Sequence, residues 1–587
     1  MNQPTPAIVA QNAVRRLPRI ALLLLCAAYL LPGLVGRGPW KSADITAFGY
    51  MAELARSTEG IARWFDPRLL GIAPETPALV PYWIGALAIK IAPAWLHPDF
   101  AVRIVFALLL WGTFTATWYA VYYLARTARA QPVAFAFGGE ARPTDYARAM
   151  ADGALLALIA CLGLAQLGHE TTPALAQLYF ASHLFYGVAA LPYRRAGPVI
   201  ALVVGTLGMT LSGGPTVGLA LATGSVLFIA YERRRMRRAA EPASTGWSGV
   251  GEDEGPGYTR GALFTMAGVT LLAAALAIGL GLLQWKIDLP GAHPGTSIAS
   301  DIRSQARLLL WFTWPAWPLA LWTLWRWRRQ LAARHVALPF WFALVPLAAT
   351  WTTDYSDRSL MLALPAMATL AAFALPTFRR SVAALVDWFT LLFFSGLALL
   401  GWIYWIAMQT GYPPKPAASV ARLVPGFVPE FSPIAFVLAL AATIAWCWLV
   451  RWRTGRHRAA LWKTLVLPAG GTALCWMLLM TLWLPPIDYA RSYAPQVRAV
   501  SERVGHPKCV AELALSRAHI AALQYHGHFE LQPLLLGTDC PWLLVAPETI
   551  ERLHTIISLD QWRFAGTLRR PSSPSDDLLL YEKIAPR

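Results

Sequence analysis

Residues 214–238 read GPTVGLALATGSVLFIAYERRRMRR. The first part, 214–231, is uncharged and comes within a turn of the ~20 apolar residues that cross about 30 Å of hydrocarbon. An arginine-rich run, Arg233 to Arg238, follows at once. Basic residues at the end of an apolar helix hold that end on the cytoplasmic side of a membrane. A second uncharged run, 261–284, begins after the stretch 232–260, whose EPASTGWSGVGEDEGPG composition is that of a flexible linker. Two membrane spans joined by a cytoplasmic linker are therefore predicted.

The same pairing of apolar run and arginine cluster extends over most of the chain. Runs near 19–36, 100–124, 151–167, 173–192, 198–212, 305–325, 337–352, 359–376, 385–408, 433–450 and 462–484 join the first two, making about thirteen candidate spans. With these spans, Arg15/Arg16, Arg126/Arg129, Arg194/Arg195, Arg233 to Arg238, Arg326 to Arg329, Arg379/Arg380 and Arg451 to Arg458 all fall on one side. An odd count puts the C-terminus on the other. The apolar segment 77–93 is short and interrupted by Pro81, and if it spanned, every later arginine cluster would change sides; it is assigned to the outer interface. No small-residue cleavage site follows Leu31-Pro32-Gly33, so the first run reads as a retained helix. The expected fold class is an all-α polytopic membrane protein of about 13 transmembrane helices over residues 1–484, with a small C-terminal extracytoplasmic α/β domain over 485–587.

Composition agrees. The 587 residues are 56% hydrophobic and 14% charged, with a mean hydropathy of +0.45, a balance that would leave a soluble chain with large exposed apolar patches. The net charge of +18 would suit nucleic acid, but the basic residues lie in short clusters between spans, and no nucleic-acid partner is expected. Many of the 27 tryptophans, Trp311, Trp314 and Trp317 among them, sit near span ends, where an amphipathic ring suits the headgroup region. Cys26, Cys161, Cys447 and Cys475 lie in apolar runs as small buried residues. Cys509 and Cys540 share the outer domain, where a disulfide is permitted but not required by the sequence.

The first outer loop, 37–99, opens with the run RGPWKSADITAFGYMAEL. Ile45, Phe48, Met51/Ala52 and Ala55 recur at helical spacing, which predicts a helix along the membrane surface with Asp44 at its start, where a carboxylate can serve as N-cap. The second outer loop, 167–173, places the ionisable pair His169-Glu170 between apolar helices, a costly position unless it is used.

The stretch from Trp40 through Arg103 resembles the first outer loop of the membrane-embedded C-type glycosyltransferases, the group of the protein O-mannosyltransferases and the lipid A aminoarabinose transferase. Members carry an acidic motif after the first helix, then an amphipathic helix, a Glu-Lys-Pro-like motif and an apolar Tyr-Trp segment. The corresponding residues are Asp44-Ile45, the helix from Ile45 to Thr58, Glu75-Thr76-Pro77 and Tyr82-Trp83. The span plan with an outer C-terminal domain is similar to that of the aminoarabinose transferase. The resemblance implies sugar transfer from a polyprenyl-phosphate-linked donor to a lipid, glycan or protein acceptor at the periplasmic face of the bacterial inner membrane, with the N-terminus cytoplasmic and the C-terminal domain periplasmic.

It also implies roles. Asp44 and Glu170 are the catalytic candidates. Glu75 occupies a position that can bind a divalent metal ion beside the donor phosphate, with His293 its nearest partner by topology. The sequence departs from the family at Ile45, where a second acid is usual, and at Thr76, where the family has Lys. The donor phosphate then needs another cation, and Lys41, Arg63, Arg68 and Arg358 are the outer-side candidates.

If the acceptor is a hydroxyl, Asp44 is the expected general base with Glu170 as helper. A lipid or solute transporter is the alternative, as is a surface-polysaccharide ligase or polymerase. A transporter predicts charges near mid-helix and related halves, whereas the acids here cluster in outer loops and no internal repeat is visible. No HExxH, paired CxxC, Walker loop or Gly-rich dinucleotide turn is present, which leaves ATP-driven and nicotinamide chemistry without support.

Overall fold

The computed structural model describes residues 5–240, 256–283, 297–352, 357–454, 460–505, 507–534, 537, 539–553, 561–570 and 576–584. Each of the thirteen predicted apolar runs contains helix. The chain enters as α1 (Arg19–Leu30), turns through Gly33 and Gly36, both at positive φ, and forms the loop helices α2 (Ala43–Arg56), α3 (Ile61–Phe65) and α4 (Val80–Ile91). Next come α5 (Pro98–Ala125), α6 (Pro143–Ala160), α7 (Leu162–Leu167), α8 (Pro173–Ala190), α9 (Ala196–Leu211), α10 (Pro215–Ala240) and α11 (Arg260–Gly279). The helical part continues through α12 (Ile298–Phe312), α13 (Ala316–Arg326), α14 (Arg334–Thr352), α15 (Asp357–Met361), α16 (Leu364–Ala374), α17 (Arg380–Thr410), α18 (Pro414–Leu423), α19 (Pro433–Thr454) and α20 (Lys463–Leu479).

Among the described residues six helices, α5, α10, α11, α14, α17 and α19, are individually long and apolar enough to cross a membrane. A seventh is reached if α20 and α21 (Leu484–Arg491), bent by 70°, count as one span. The other predicted runs are shorter or broken. The run 305–325 divides between α12 and α13 around Pro315, which removes a backbone donor and disfavours helix at Trp314 before it. The run 151–167 divides at Cys161, whose backbone is extended, and α1 ends at Leu30 ahead of Pro32. At the heart of the bundle α8 and α9 pack backbone to backbone. A Cβ on Gly205 would stand 2.5 Å from the Leu184 nitrogen, the close approach that small residues permit in membrane helices.

Two expectations about the first outer loop are corrected. Ser42, not Asp44, is the residue that precedes α2, and it makes no side-chain cap; Asp44 lies in the first turn and takes its donors from elsewhere. Nor is α2 a surface helix with one wet face. Its residues from Ile45 to Leu54 are mostly buried, because Met51 packs on Gly85 of α4 while Gly49 receives Ala521 of the C-terminal domain, a Cβ there meeting that of Ala521 at 2.5 Å.

The C-terminal domain adds α22 (Ala494–Val504), β1 (Val510–Leu513), α23 (Arg517–His526), β2 (Leu531–Pro533), β3 (Trp542–Val545), β4 (Trp562–Leu568) and β5 (Leu578–Lys583). The sheet order is β2-β1-β3-β5-β4, with β1 parallel to β2 and β3, and β5 antiparallel to β3 and β4. The Val510↔Trp542 register brings the starts of β1 and β3 together, and Cys509 and Cys540 close a disulfide there across a separation of 31 residues. Closing a loop of that length restricts the unfolded chain. Reducing the bridge, or replacing Cys509 by Ser, is expected to lower the stability of this domain by about 2–4 kcal/mol, read as a lower melting transition. Identical transitions with and without reductant would show that the bridge contributes nothing.

Candidate functional site

After α1 the chain must reverse towards α2, and Arg37 fixes that turn by donating from Nε to the Gly33 carbonyl at 2.8 Å. Its Nη1 donates to Asp44 Oδ2 at 3.1 Å and its Nη2 to the carbonyl of His169. The pair is fully enclosed, with side chains 2% (Arg37) and 1% (Asp44) exposed. Asp44 is completed by the Trp40 amide on Oδ2 at 3.1 Å and by the amide and hydroxyl of Thr171 on Oδ1, both at 2.6 Å. Two oxygens therefore accept four hydrogen bonds. A buried carboxylate saturated in this way joins the first outer loop to the second, with both of its oxygens committed to hydrogen bonds.

Thr171 carries this geometry to the residue before it. Glu170 is buried, with Gln166 Nε2 donating to Oε1 at 3.2 Å and Arg358 Nη2 to Oε2 at 2.9 Å. Burial, and then the charge of Asp44, push the Glu170 carboxyl above its ordinary value, while Arg358 and Gln166 pull it back. The Arg358 side chain is 34% exposed, so this end of the network reaches solvent. Burial first, and the charge of Arg37, lower the His169 pKa to about 4, while the backbone carbonyls of Ala165 and Tyr29 pull the other way. Its ring lies over Trp476, with Nδ1 2.6 Å from the Ala165 carbonyl and Nε2 3.0 Å from that of Tyr29.

A second layer, buried at Asp99 and Arg103 and half-buried at Asp488, lies beside the first. Asp488 Oδ1 accepts from the Gly38 amide at 3.0 Å and from Trp40 Nε1 at 2.9 Å, and Arg103 bonds Asp99 at 2.6 Å and the Leu34 carbonyl at 2.6 Å. The predicted acids Asp44 and Glu170 thus share one site, and of the four predicted cations Arg358 is the one that joins them. Lys41 pairs with Asp576 of the C-terminal domain. Arg63 is held by Glu59 at 3.7 Å and Arg68 by Asp66 at 2.7 Å.

The expected metal position does not fit an ion on the residues described. Glu75 is 80% exposed and bonds Arg517 at 2.6 Å, and no group of three or more His, Cys, Asp or Glu among the described residues is placed to hold a metal; His293 lies outside those residues. Arg37, Gln166 and Thr171 escape a reading of the sequence. Arg37 could have been found by asking which cation would neutralise a buried Asp44; the other two carry no signal.

Among the solved structures that match, two do so over 97% of this chain and 97% of theirs. They are the crystal structures of ArnT from Cupriavidus metallidurans bound to undecaprenyl phosphate, with a TM-score of 0.58 at 13% identity, and in the apo state, with a TM-score of 0.57 at 14% identity. The chain has the fold of ArnT. The resemblance to the C-type glycosyltransferases read from the first outer loop is borne out at the level of fold. No protein-family model and no curated protein matches the chain. As in any use of the ArnT fold, function has to be argued from the site itself.

The geometry changes what a substitution at Asp44 reports. Asn keeps the size of the side chain but leaves the enclosed Arg37 guanidinium without its counter-charge. Asp44→Asn is expected to destabilise the protein by about 3–5 kcal/mol, whereas Arg37→Met with Asp44→Asn should recover part of the loss. Unfolding of the purified single and double variants in detergent measures both. A single variant as stable as the parent would mean that the pair does not fix the fold.

Proposed function

We propose that this protein is a C-type glycosyltransferase that moves a sugar from a polyprenyl-phosphate donor to a lipid, glycan or protein acceptor. The observation that carries this reading is the meeting of Glu170 and Arg358, 188 residues apart in sequence, beside the saturated Arg37–Asp44 pair, in a fold whose ArnT example was crystallised with undecaprenyl phosphate. The reading includes a multi-pass protein of the bacterial inner membrane with residues 485–587 in the periplasm. The one-sided arginine clusters support that sidedness, and so does the Cys509–Cys540 disulfide, which belongs in an oxidising compartment.

Arg358 is the group suited to the donor phosphate. When the phosphate takes its guanidinium, Glu170 Oε2 is released. The bond from the sugar anomeric carbon to the phosphate oxygen breaks, a bond from that carbon to the acceptor oxygen forms, and the acceptor proton passes to Glu170. Polyprenyl phosphate departs with its charge held by Arg358. Asp44 acts as a positioning residue, holding Thr171 and hence the backbone that presents Glu170. An acceptor that is itself a phosphate would need no base, and Glu170 would then orient the sugar. No step is assigned to a metal.

The test is release of polyprenyl phosphate from a labelled polyprenyl-phosphate sugar by purified protein. Glu170→Gln should lower transfer by about 10²–10⁴-fold with the fold intact, because Gln still bonds Gln166 and the partner left behind is partly solvated. The pH profile gives the sign. Glu170 must be ionised to accept a proton, so the rate should fall as pH drops through its raised pKa. Arg358→Gln removes a cation that favours the carboxylate, and the acid limb should therefore move to higher pH. Full transfer by Glu170→Gln, or an unmoved limb in Arg358→Gln, would set this mechanism aside.

A further inference from the structure

At the far end of the bundle from Asp44 and Glu170, the last turns of α10 and the first turn of α11 enclose a cleft of about 390 Å³. Four arginines line it, Arg233, Arg234 and Arg237 from α10 and Arg260 from α11, over a floor that includes Leu263 and Phe264. Arg237 and Arg260 stand close enough to Arg233 for their charges to repel it. The neighbouring carboxylate is already engaged: Glu232 turns away from the cleft into a buried pairing with Arg235 at 3.2 Å and Arg334 at 3.4 Å. Among the described residues no acidic side chain lines the cleft.

Both helices are among the six long enough to span a membrane, and α10 is uncharged from Pro215 to Tyr231 before its arginines begin. The cleft therefore lies where the apolar layer meets water, and Phe264, 71% exposed, extends its floor towards the apolar side. Converging cations above an exposed apolar surface match a molecule with a phosphate head and a hydrocarbon tail. Basic pockets between transmembrane helices at this level bind anionic headgroups. A solvated charge run that serves topology alone would need neither a second helix contributing Arg260 nor an apolar floor.

We infer that this cleft is a binding site for an anionic phospholipid headgroup of the adjoining leaflet, separate from the site of sugar transfer. The full-length protein, purified and placed in phosphatidylcholine vesicles or in vesicles of phosphatidylcholine and cardiolipin in equal amounts, tests it. Bound cardiolipin can be counted by native mass spectrometry after extraction and titration with that lipid. The combined Arg233→Gln, Arg237→Gln and Arg260→Gln variant should bind cardiolipin on the order of 10- to 100-fold more weakly, with the parent's melting temperature in phosphatidylcholine. Phe264→Ser should weaken it as well. A control that neutralises Arg326, Arg328 and Arg329, another arginine cluster, should leave binding unchanged. Equal loss in that control would mean diffuse charge attraction and overturn the site. Displacement of cardiolipin by inorganic phosphate alone, with Phe264→Ser silent, would make it a free-phosphate site and overturn the lipid assignment.

Discussion

The end of the bundle where α1, α2 and α8 meet depends on one buried ion pair. Moving a guanidinium and a carboxylate out of water costs several kcal/mol for each ion, and their attraction repays the cost only where every remaining donor and acceptor is satisfied. Arg37 and Asp44 meet that demand with the carbonyls of Gly33 and His169, the amide of Trp40, and the amide and hydroxyl of Thr171. Those partners come from the turn after α1, the approach to α2 and the loop before α8. The electrostatic requirement of two side chains thereby becomes a geometric constraint on three separate pieces of chain.

Glu170 takes its environment from that constraint. Its neighbour Thr171 is pinned by Asp44, which sets the backbone, and Asp44 contributes the negative charge that helps to raise the Glu170 carboxyl. Arg358 supplies the opposing charge from an element nearly 200 residues away; the separation is 188. The two carboxylates, similar in type and both beside apolar helices, are given different parts by their hydrogen bonds. Asp44 is saturated, whereas Glu170 shares Arg358, which is partly exposed and lies 3.7 Å from Asp357 as well. The C-terminal domain closes over the same region. Gly49 admits Ala521, Lys41 reaches Asp576, and Asp488 accepts from Trp40 Nε1, so the outer loop is held from both sides.

Charge is sorted along the bundle axis. At one end Asp44, Asp99 and Glu170 each sit with an individual arginine, and at the other the α10–α11 cleft gathers four arginines beside a Glu232 that is already paired. The first arrangement is suited to chemistry on a small number of atoms. The second suits attraction of an anionic surface, where charge number matters more than angle.

The sequence by itself determined where helices form and which ends carry the arginines. Apolar runs of sufficient length and the basic residues beside them are local properties, and helix in lipid satisfies its backbone within the segment. The family resemblance at Trp40 to Arg103 is likewise local. Helix breaks were partly legible, through Pro315 and Pro32, but the bend between α20 and α21 was not. What only the tertiary structure decided is which charged residues face each other. Asp44 read alone is an acceptable N-cap, and Lys41, Arg63, Arg68 and Arg358 are equivalent cations on paper. Their roles diverge because a buried charge takes its state from partners 127 or 188 residues distant, and no periodicity in one sequence encodes such a meeting.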